Sequence, residues 1–161
     1  IPIHYPNLIY ADLQLWLALT KKSYLAVDPS TQFSFRIHAS TTKTSKDSIL
    51  LDAFIIFLDY LNQLKTASSS FGEVIHANAQ EFCESTTKAI AHRLLRTPRN
   101  LRKGLSIDLM IEKIAAKSKI LEISYEPFKI NSIRLARTIE TYPLLNDLFL
   151  LFKKIYKKPV L

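Results

Sequence analysis

The spacing of apolar residues predicts a chain that is built mainly from helices. The most apolar segment, residues 49–64, follows a candidate helix cap at Asp47 or Ser48 and carries its two acids, Asp52 and Asp59, seven residues apart. In a helix that spacing places both carboxylates on one narrow polar stripe, with apolar side chains on every other side. A helix of this composition is expected to lie at the centre of the fold.

Helical spacing continues through most of the remaining chain. A long helix is predicted over residues 71–96, and Pro98 ends it because the residue before a proline avoids helical geometry. Three further helices are predicted over residues 107–119, 132–141 and 144–158. The chain contains only two glycines, which favours helices joined by polar or proline-marked turns.

A different pattern occurs near the amino terminus. Residues 31–39 alternate apolar and polar side chains, which is typical of a half-buried strand, and residues 23–27 can pair with them as a hairpin. Residues 8–19 fit either a helix or a strand, and residues 120–125 fit a short strand or a helix tail. The predicted fold class is therefore mainly α, a bundle of five or more helices with a minor N-terminal β-hairpin. An α+β fold is the alternative.

The length of 161 residues predicts one domain over residues 1–161. A serine-rich stretch over residues 66–70 is a candidate for a short internal linker. The sequence opens on Ile1, so we expect it to be a fragment of a longer protein. Cys83 is the only cysteine, which excludes an internal disulfide and fits an intracellular protein.

Charge is distributed very unevenly along the chain. Residues 1–87 hold six Lys/Arg against eight Asp/Glu, whereas residues 88–161 hold sixteen against six, so the halves carry −2 and +10 of the total of +8. A concentrated positive field attracts polyanions and guides their approach. This asymmetry suggests a nucleic acid or an acidic protein surface as partner, and a solubilising surface is the alternative interpretation of the charge. The predicted location is intracellular, with the nucleus as one option.

The densest basic stretch is HRLLRTPRNLRKG, from His92 to Gly104, and it contains no acid. The macrodipole favours cations in the last turn of a helix, which accounts for Arg93 and Arg96. It does not account for the cations beyond Pro98, and arginine grips phosphate with two hydrogen bonds. The candidate binding residues are Lys88, Arg93, Arg96, Arg99, Arg102 and Lys103.

The sequence around Thr97, Arg-Thr-Pro-Arg, also matches a minimal proline-directed phosphorylation site. Phosphorylation would add about two negative charges among the arginines and weaken polyanion binding. The alternative interpretation is a threonine that precedes a helix-ending proline and has no regulatory role.

No pattern in the sequence indicates catalysis. Phosphate-binding glycine loops are absent, and Glu73 and His76, with Cys83 seven residues further on, form an incomplete metal-ligand set. Cys83 itself falls within an amphipathic helix, where a cysteine usually serves packing. We therefore predict no metal, no cofactor and no enzymatic activity. The apolar segments are too short to span a membrane.

Two functions remain as predictions. The first is a non-enzymatic interaction module that contacts the nucleic-acid backbone, or a nucleic-acid-bound complex, through the basic segment. The second is a protein-protein docking or dimerisation domain that uses an apolar helix face, either Ile49–Leu64 or Leu144–Ile155, without nucleic-acid contact. A catalytic domain whose site is assembled from distant residues is the third alternative.

Overall fold

The computed structural model describes residues 4–20, 46–67 and 69–155 of the chain. These residues form a bundle of helices, which confirms the mainly α prediction. The predicted hairpin lies in residues 23–39, outside the described residues, and the described ranges contain no strand. The helices are α1 (Ala11–Thr20), α2 (Asp47–Ala67), α3 (Ser69–Arg96), α4 (Ile107–Ile120), α5 (Asn131–Thr141) and α6 (Pro143–Ile155).

Helix α2 occupies the centre of the bundle, as its apolar composition predicts. It packs against both α3 and α4, and its side chains Phe54, Phe57 and Leu58 are almost completely buried. The Tyr10 ring stacks on Phe57 with centroids 5.1 Å apart, and this contact helps to fasten the start of the chain to α2. The core is one contiguous apolar cluster contributed by α2, α3, α4 and α5.

Some boundaries differ from the sequence prediction. Helix α2 extends to Ala67 and α3 begins at Ser69, so helical residues fill most of the predicted 66–70 linker. Helix α4 ends at Ile120 and is followed by a turn, so residues 120–125 form no strand. Of the ambiguous segment over residues 8–19, residues 11–19 belong to helix α1, and residues 8–10 form the turn before it. The alternating leucines alone fit either a helix or a strand. In the fold, this segment packs as a helix against the aromatic side chains of α2 and α3.

The polar stripe of α2 faces basic side chains of α4. Asp59 lies 2.7 Å from the ammonium group of Lys117, and Asp52 lies 4.0 Å from that of Lys113. At the end of the same interface, Lys65 donates a hydrogen bond of 2.9 Å to the carbonyl oxygen of Leu121, just past the end of α4. The stripe therefore lies along the edge of the α2–α4 contact rather than facing solvent alone.

The fold buries several weakly acidic groups, so we expect stability to fall in alkaline solution. Burial raises the pKa of Cys83 from 9.0 to about 11 and raises the pKa of Tyr5, Tyr10 and Tyr125 from 10.0 to about 12 each. Because the unfolded chain releases these protons first, the contribution is complete below pH 9.0 and is lost as pH rises to about 12. The urea midpoint should be clearly lower at about pH 10.5 than at about pH 8.

Tyr5→Phe is the matched control for this alkaline loss. Among the described residues, the buried Tyr5 hydroxyl has no hydrogen-bond partner, so phenylalanine removes one titrating group without breaking a described bond. The variant should match the parent at about pH 8 and lose less stability at about pH 10.5. Equal midpoints of the parent protein at both pH values would contradict the assignment of these buried groups.

Candidate functional site

A groove borders the carboxyl-terminal half of α3, where it packs beside the start of α5. Lys88, His92 and Arg96 follow at intervals of four residues, so they lie on one face of α3, and Ser132 borders the groove from α5. The groove is open and has a volume of about 800 Å³. We call it the α3 groove; it is lined by Lys88, Ala89, His92, Arg93, Arg96, Thr97 and Ser132.

The α3 groove has a strongly positive character. Lys88, His92 and Arg96 are all exposed, and no acidic residue lines the groove. Within the described ranges Lys88 and Arg96 have no ion-pair partner. They are separated by eight residues, or about 12 Å along the helix axis. The groove can therefore meet several negative charges along one direction.

Arg93 lines the same groove but is already engaged in the fold. Its Nε lies 2.6 Å from Oδ1 of Asp47, a carboxylate that is buried at the start of α2. Asp47 would be costly to bury alone, so this ion pair holds the end of α3 against the first turn of α2. Because Asp47 compensates its charge, Arg93 adds little to the positive potential of the groove.

The basic segment changes direction immediately after α3. Pro98 follows the helix end, and a single 3₁₀ turn from Arg99 to Leu101 leads into Lys103 and Gly104. Lys103 has φ +52° and Gly104 has φ +79°, so both residues adopt the left-handed conformation and reverse the chain. Ser106 then caps α4, because its side-chain oxygen accepts a hydrogen bond from the backbone N–H of Leu109.

Arg102, at the centre of this turn, is buried, and each of its three guanidinium nitrogens has a partner. Its Nη1 lies 2.6 Å from Oε1 of Glu140, and its Nη2 donates to Oδ1 of Asn146 over 3.2 Å. Its Nε donates to the carbonyl oxygen of Thr97 over 2.6 Å. The guanidinium group therefore joins the end of α3 to the end of α5 and the first turn of α6.

Glu140 extends this network to a fourth helix. Its second carboxylate oxygen accepts a hydrogen bond of 2.7 Å from the backbone N–H of Ile107, the first residue of α4. Burial lowers the pKa of the Arg102 guanidinium, and the Glu140 carboxylate opposes that effect. Arginine remains charged in proteins at ordinary pH, so the pair is ionic. Arg102 therefore holds helix ends together inside the fold and is too buried to contact a partner at the surface.

The sequence interpretation of Arg99–Lys103 therefore needs correction. No acid lies near these residues along the chain, but folding brings Glu140 to them from 38 residues away. Arg99 is exposed and donates a hydrogen bond to the backbone carbonyl of Glu140, which anchors its side chain. Lys103 is also exposed, on the left-handed turn. Of the six predicted cations, Lys88, Arg96, Arg99 and Lys103 are exposed.

Thr97 occupies the junction between the groove and the Arg102 network. Its hydroxyl donates to the carbonyl oxygen of Arg93 over 3.3 Å, and its own carbonyl accepts from Arg102. The side chain is half-buried and lines the α3 groove. Phosphorylation at Thr97 stays a prediction, which mass spectrometry after treatment with a proline-directed kinase would test.

The sequence interpretation missed Glu140, Asn146 and Ser132. A weak signal existed for Asn146, because an amide that interrupts an apolar helix is often buried and hydrogen-bonded. Asn146 is indeed fully buried. Glu140 and Ser132 carried no comparable signal, since their importance depends on how α5 packs against α3.

The incomplete metal-ligand set on α3 stays apart in the fold. Glu73 and His76 are exposed, whereas Cys83 is fully buried and faces Ser118. Among the described residues, no three His, Cys, Asp or Glu side chains come close enough to hold a metal ion.

The two predicted apolar docking faces differ in burial, because the first is covered by the fold and the second is exposed. The first, Ile49–Leu64, forms the centre of the core. The second, Leu144–Ile155, belongs to α6, which presents most of its large apolar side chains to solvent. We call this surface the α6 face; it consists of Leu144, Leu145, Leu148, Leu151, Phe152 and Ile155.

Within the described ranges, no helix combines the length and the apolar character needed to cross a membrane. Comparison of the chain with protein-family models, with curated proteins and with solved structures found no match.

Proposed function

We propose that this protein is a non-enzymatic helical interaction module that contacts the phosphate backbone of nucleic acid through the α3 groove. One observation carries the proposal. Lys88 and Arg96 are exposed on one helix face and line a groove without any acidic side chain. Uncompensated cations at such a spacing are the electrostatic requirement for binding a polyanion.

The dimensions of the α3 groove suit a nucleic-acid strand. Lys88 and Arg96 span about 12 Å, and successive phosphates of one strand rise by about 3.4 Å along the duplex axis. Placed parallel to the duplex axis, the groove thus spans about four consecutive phosphates of one strand. His92 lies between the two cations along the helix, and Ser132 borders the groove from α5, so an imidazole and a hydroxyl add hydrogen-bonding groups.

The same geometry argues for contact with the backbone rather than with the bases. No phenylalanine, tyrosine or tryptophan lines the groove, so it lacks a large aromatic platform on which bases could stack. Phosphate contacts position a protein on nucleic acid but carry no sequence information. We therefore expect binding that is strongly salt-dependent and largely independent of sequence, and a nuclear or other intracellular location belongs to the same proposal.

Reversing the two groove charges should abolish most of this binding. In Lys88→Glu/Arg96→Glu, the slope of log affinity against log salt on duplex DNA should become shallower by about 1.8, because two phosphate contacts are lost. The affinity near physiological salt should fall by about tenfold or more. Fluorescence anisotropy with a labelled duplex at several salt concentrations measures both quantities.

Lys119→Glu is the matched control for this experiment. Lys119 lies in the last turn of α4, is exposed and does not line the groove. Its replacement by glutamate changes the net charge of the protein by the same amount as Arg96→Glu. It should reduce affinity much less than Arg96→Glu alone. Equal losses in the two single variants would contradict the proposal, and stronger competition by polyglutamate than by DNA would instead favour an acidic protein as partner.

A second candidate function is association through an apolar helix face, and the α6 face specifically favours it. Its six side chains are exposed to between 42% and 79%. Monomeric proteins rarely expose contiguous apolar patches of more than a few hundred Å², and larger patches commonly mark interaction sites. This candidate is independent of the α3 groove, because no residue of α6 lines that groove.

A further inference from the structure

Helix α6 has one side that packs on the bundle and an opposite side whose large apolar side chains are exposed. Asn146 and Phe149 face the bundle, where Asn146 is fully buried and Phe149 packs on the core. The opposite side is the α6 face. Its six side chains offer on the order of 600 Å² of apolar surface, and each partner of a standard protein interface buries about 800 Å². The α6 face is therefore large enough to form most of a specific interface.

The spacing within the α6 face is that of a coiled-coil seam. Leu144, Leu148, Leu151 and Ile155 are separated by four, three and four residues. This repeat of 3.5 residues keeps apolar side chains on one line along a helix that packs against another helix. The seam lies on the exposed side of α6, and no helix among the described residues covers it.

The residues that flank the seam indicate which helix would fit. Leu145 and Phe152 lie on one flank, seven residues apart, and both are exposed apolar side chains. Asp147 and Lys154 lie on the other flank, also seven residues apart, and both are exposed. Within the described ranges neither of these two charged residues has an ion-pair partner.

An antiparallel second copy of α6 satisfies both flanks at once. Antiparallel helices bring equivalent flanks together, so Asp147 of one copy would meet Lys154 of the other, twice across the two-fold axis. On the opposite flank, Leu145 of one copy would meet Phe152 of the other. A parallel arrangement would instead place the Asp147 carboxylate beside the Phe152 ring, where it would lose water without gaining a partner. Flanking charges of this kind determine helix orientation in coiled coils.

We propose that this protein forms a symmetric homodimer in which two α6 helices pair antiparallel through the α6 face. The proposal rests on the second candidate function, association through an apolar helix face, and supplies its partner, a second copy of the chain. The two-fold axis passes between Leu148 and Leu151, so that each of these leucines packs against the other one of the partner. Two-fold interfaces are self-complementary, and this helix is self-complementary in both shape and charge.

Sedimentation of the full chain over a range of concentrations tests the proposal. The parent protein should be a dimer at micromolar concentration, and Leu148→Asp should raise the dimer Kd by at least a hundredfold, since it places two carboxylates in the centre of the seam. Circular dichroism controls for folding, because Leu148 is 60% exposed and its replacement should leave the monomer intact. A parent protein that stays monomeric at high concentration overturns the proposal.

Charge reversal tests the antiparallel orientation without disturbing the apolar seam. Asp147→Lys and Lys154→Asp should each weaken the homodimer by about tenfold, because both of the 147–154 contacts across the two-fold axis then join like charges. The two variants mixed together should form a heterodimer of parental affinity, and the double variant Asp147→Lys/Lys154→Asp should dimerise like the parent. Absence of rescue in both cases overturns the antiparallel pairing.

Two other outcomes can be told apart from pairing of the α6 faces by vesicle binding and by sedimentation. Capture of the chain by anionic phospholipid vesicles, with a monomer in solution, would overturn the dimer in favour of a membrane surface. A dimer that persists in Leu148→Asp would place the interface elsewhere and would overturn the proposal as well. Neither result affects the α3 groove, whose DNA binding is measured with the separate variants Lys88→Glu and Arg96→Glu.

Discussion

Replacing Arg102 with alanine is expected to lower the free energy of unfolding by about 3–5 kcal/mol. Arg102 is only 5% exposed, and its guanidinium group binds Glu140, Asn146 and the carbonyl of Thr97. Its loss would leave the largely buried Glu140 carboxylate without its cation and would separate the ends of α3 and α5. Urea unfolding, followed by circular dichroism, measures the effect.

Three further variants identify the cause of that loss. Arg102→Lys should recover little stability, because an ammonium group cannot reproduce three hydrogen bonds in the fixed geometry of the guanidinium fork. Arg102→Ala/Glu140→Ala should lose less than the sum of the single variants, by at least about 1 kcal/mol, since the two residues share one interaction. Arg96→Ala serves as the exposed control and should change stability by less than about 0.5 kcal/mol. An Arg102→Ala variant as stable as the parent would contradict the structural role.

Replacing Phe57 with alanine is expected to cost about 3–5 kcal/mol. Phe57 is 2% exposed at the centre of α2, and its ring lies 5.1 Å from that of Tyr10 and 5.7 Å from that of Phe82. Alanine would leave a cavity between three helices and would remove the surface on which Tyr10 stacks. Thermal and urea unfolding of the variant would both show the loss.

Phe128→Ala is the matched control, because Phe128 is 48% exposed and lies outside the core. The Arg137 guanidinium lies 5.1 Å from the centroid of its ring, so the variant should lose only about 0.5–1 kcal/mol. Similar losses at Phe57 and Phe128 would contradict the placement of α2 at the centre of the bundle.

Local sequence signals located most of the helices but not their mutual packing. Pro98 correctly predicts the end of α3 at Arg96, and the serine at position 106 caps α4 as expected for a helix restart. The end of α2 was predicted at about Leu64, whereas the helix continues to Ala67. Serine and threonine are weak helix breakers, and packing of α2 against α3 overrides their preference.

The candidate site was only partly predictable for a physical reason. Helical periodicity places Lys88, Arg93 and Arg96 on one side of α3 without any knowledge of the fold. The role of Arg102 depends on Glu140, which is 38 residues away, and a single sequence contains no signal for such a pairing. The exposure of α6 was equally hidden, because an apolar helix that covers a core and one that awaits a partner have the same composition.

The separation of the basic segment into a structural part and a binding part also changes which variants are informative. Reversing Arg96, Arg99, Arg102 and Lys103 together would remove the buried cation of the Arg102–Glu140 pair. Loss of nucleic-acid binding in such a variant would reflect unfolding as readily as a lost contact. Arg96 and Lys88 must therefore be changed without Arg102.

A comparison of Arg96→Glu with Arg102→Ala tests the central claim most directly, with DNA affinity and unfolding free energy measured on the same samples. The account predicts opposite results for residues six positions apart in one basic segment. Arg96→Glu should cost no more than about 1 kcal/mol of stability, from the helix dipole, and lose much of the salt-dependent affinity, whereas Arg102→Ala should lose about 3–5 kcal/mol while its folded fraction retains the affinity. Full DNA affinity in Arg96→Glu, together with parental stability in Arg102→Ala, would contradict the account.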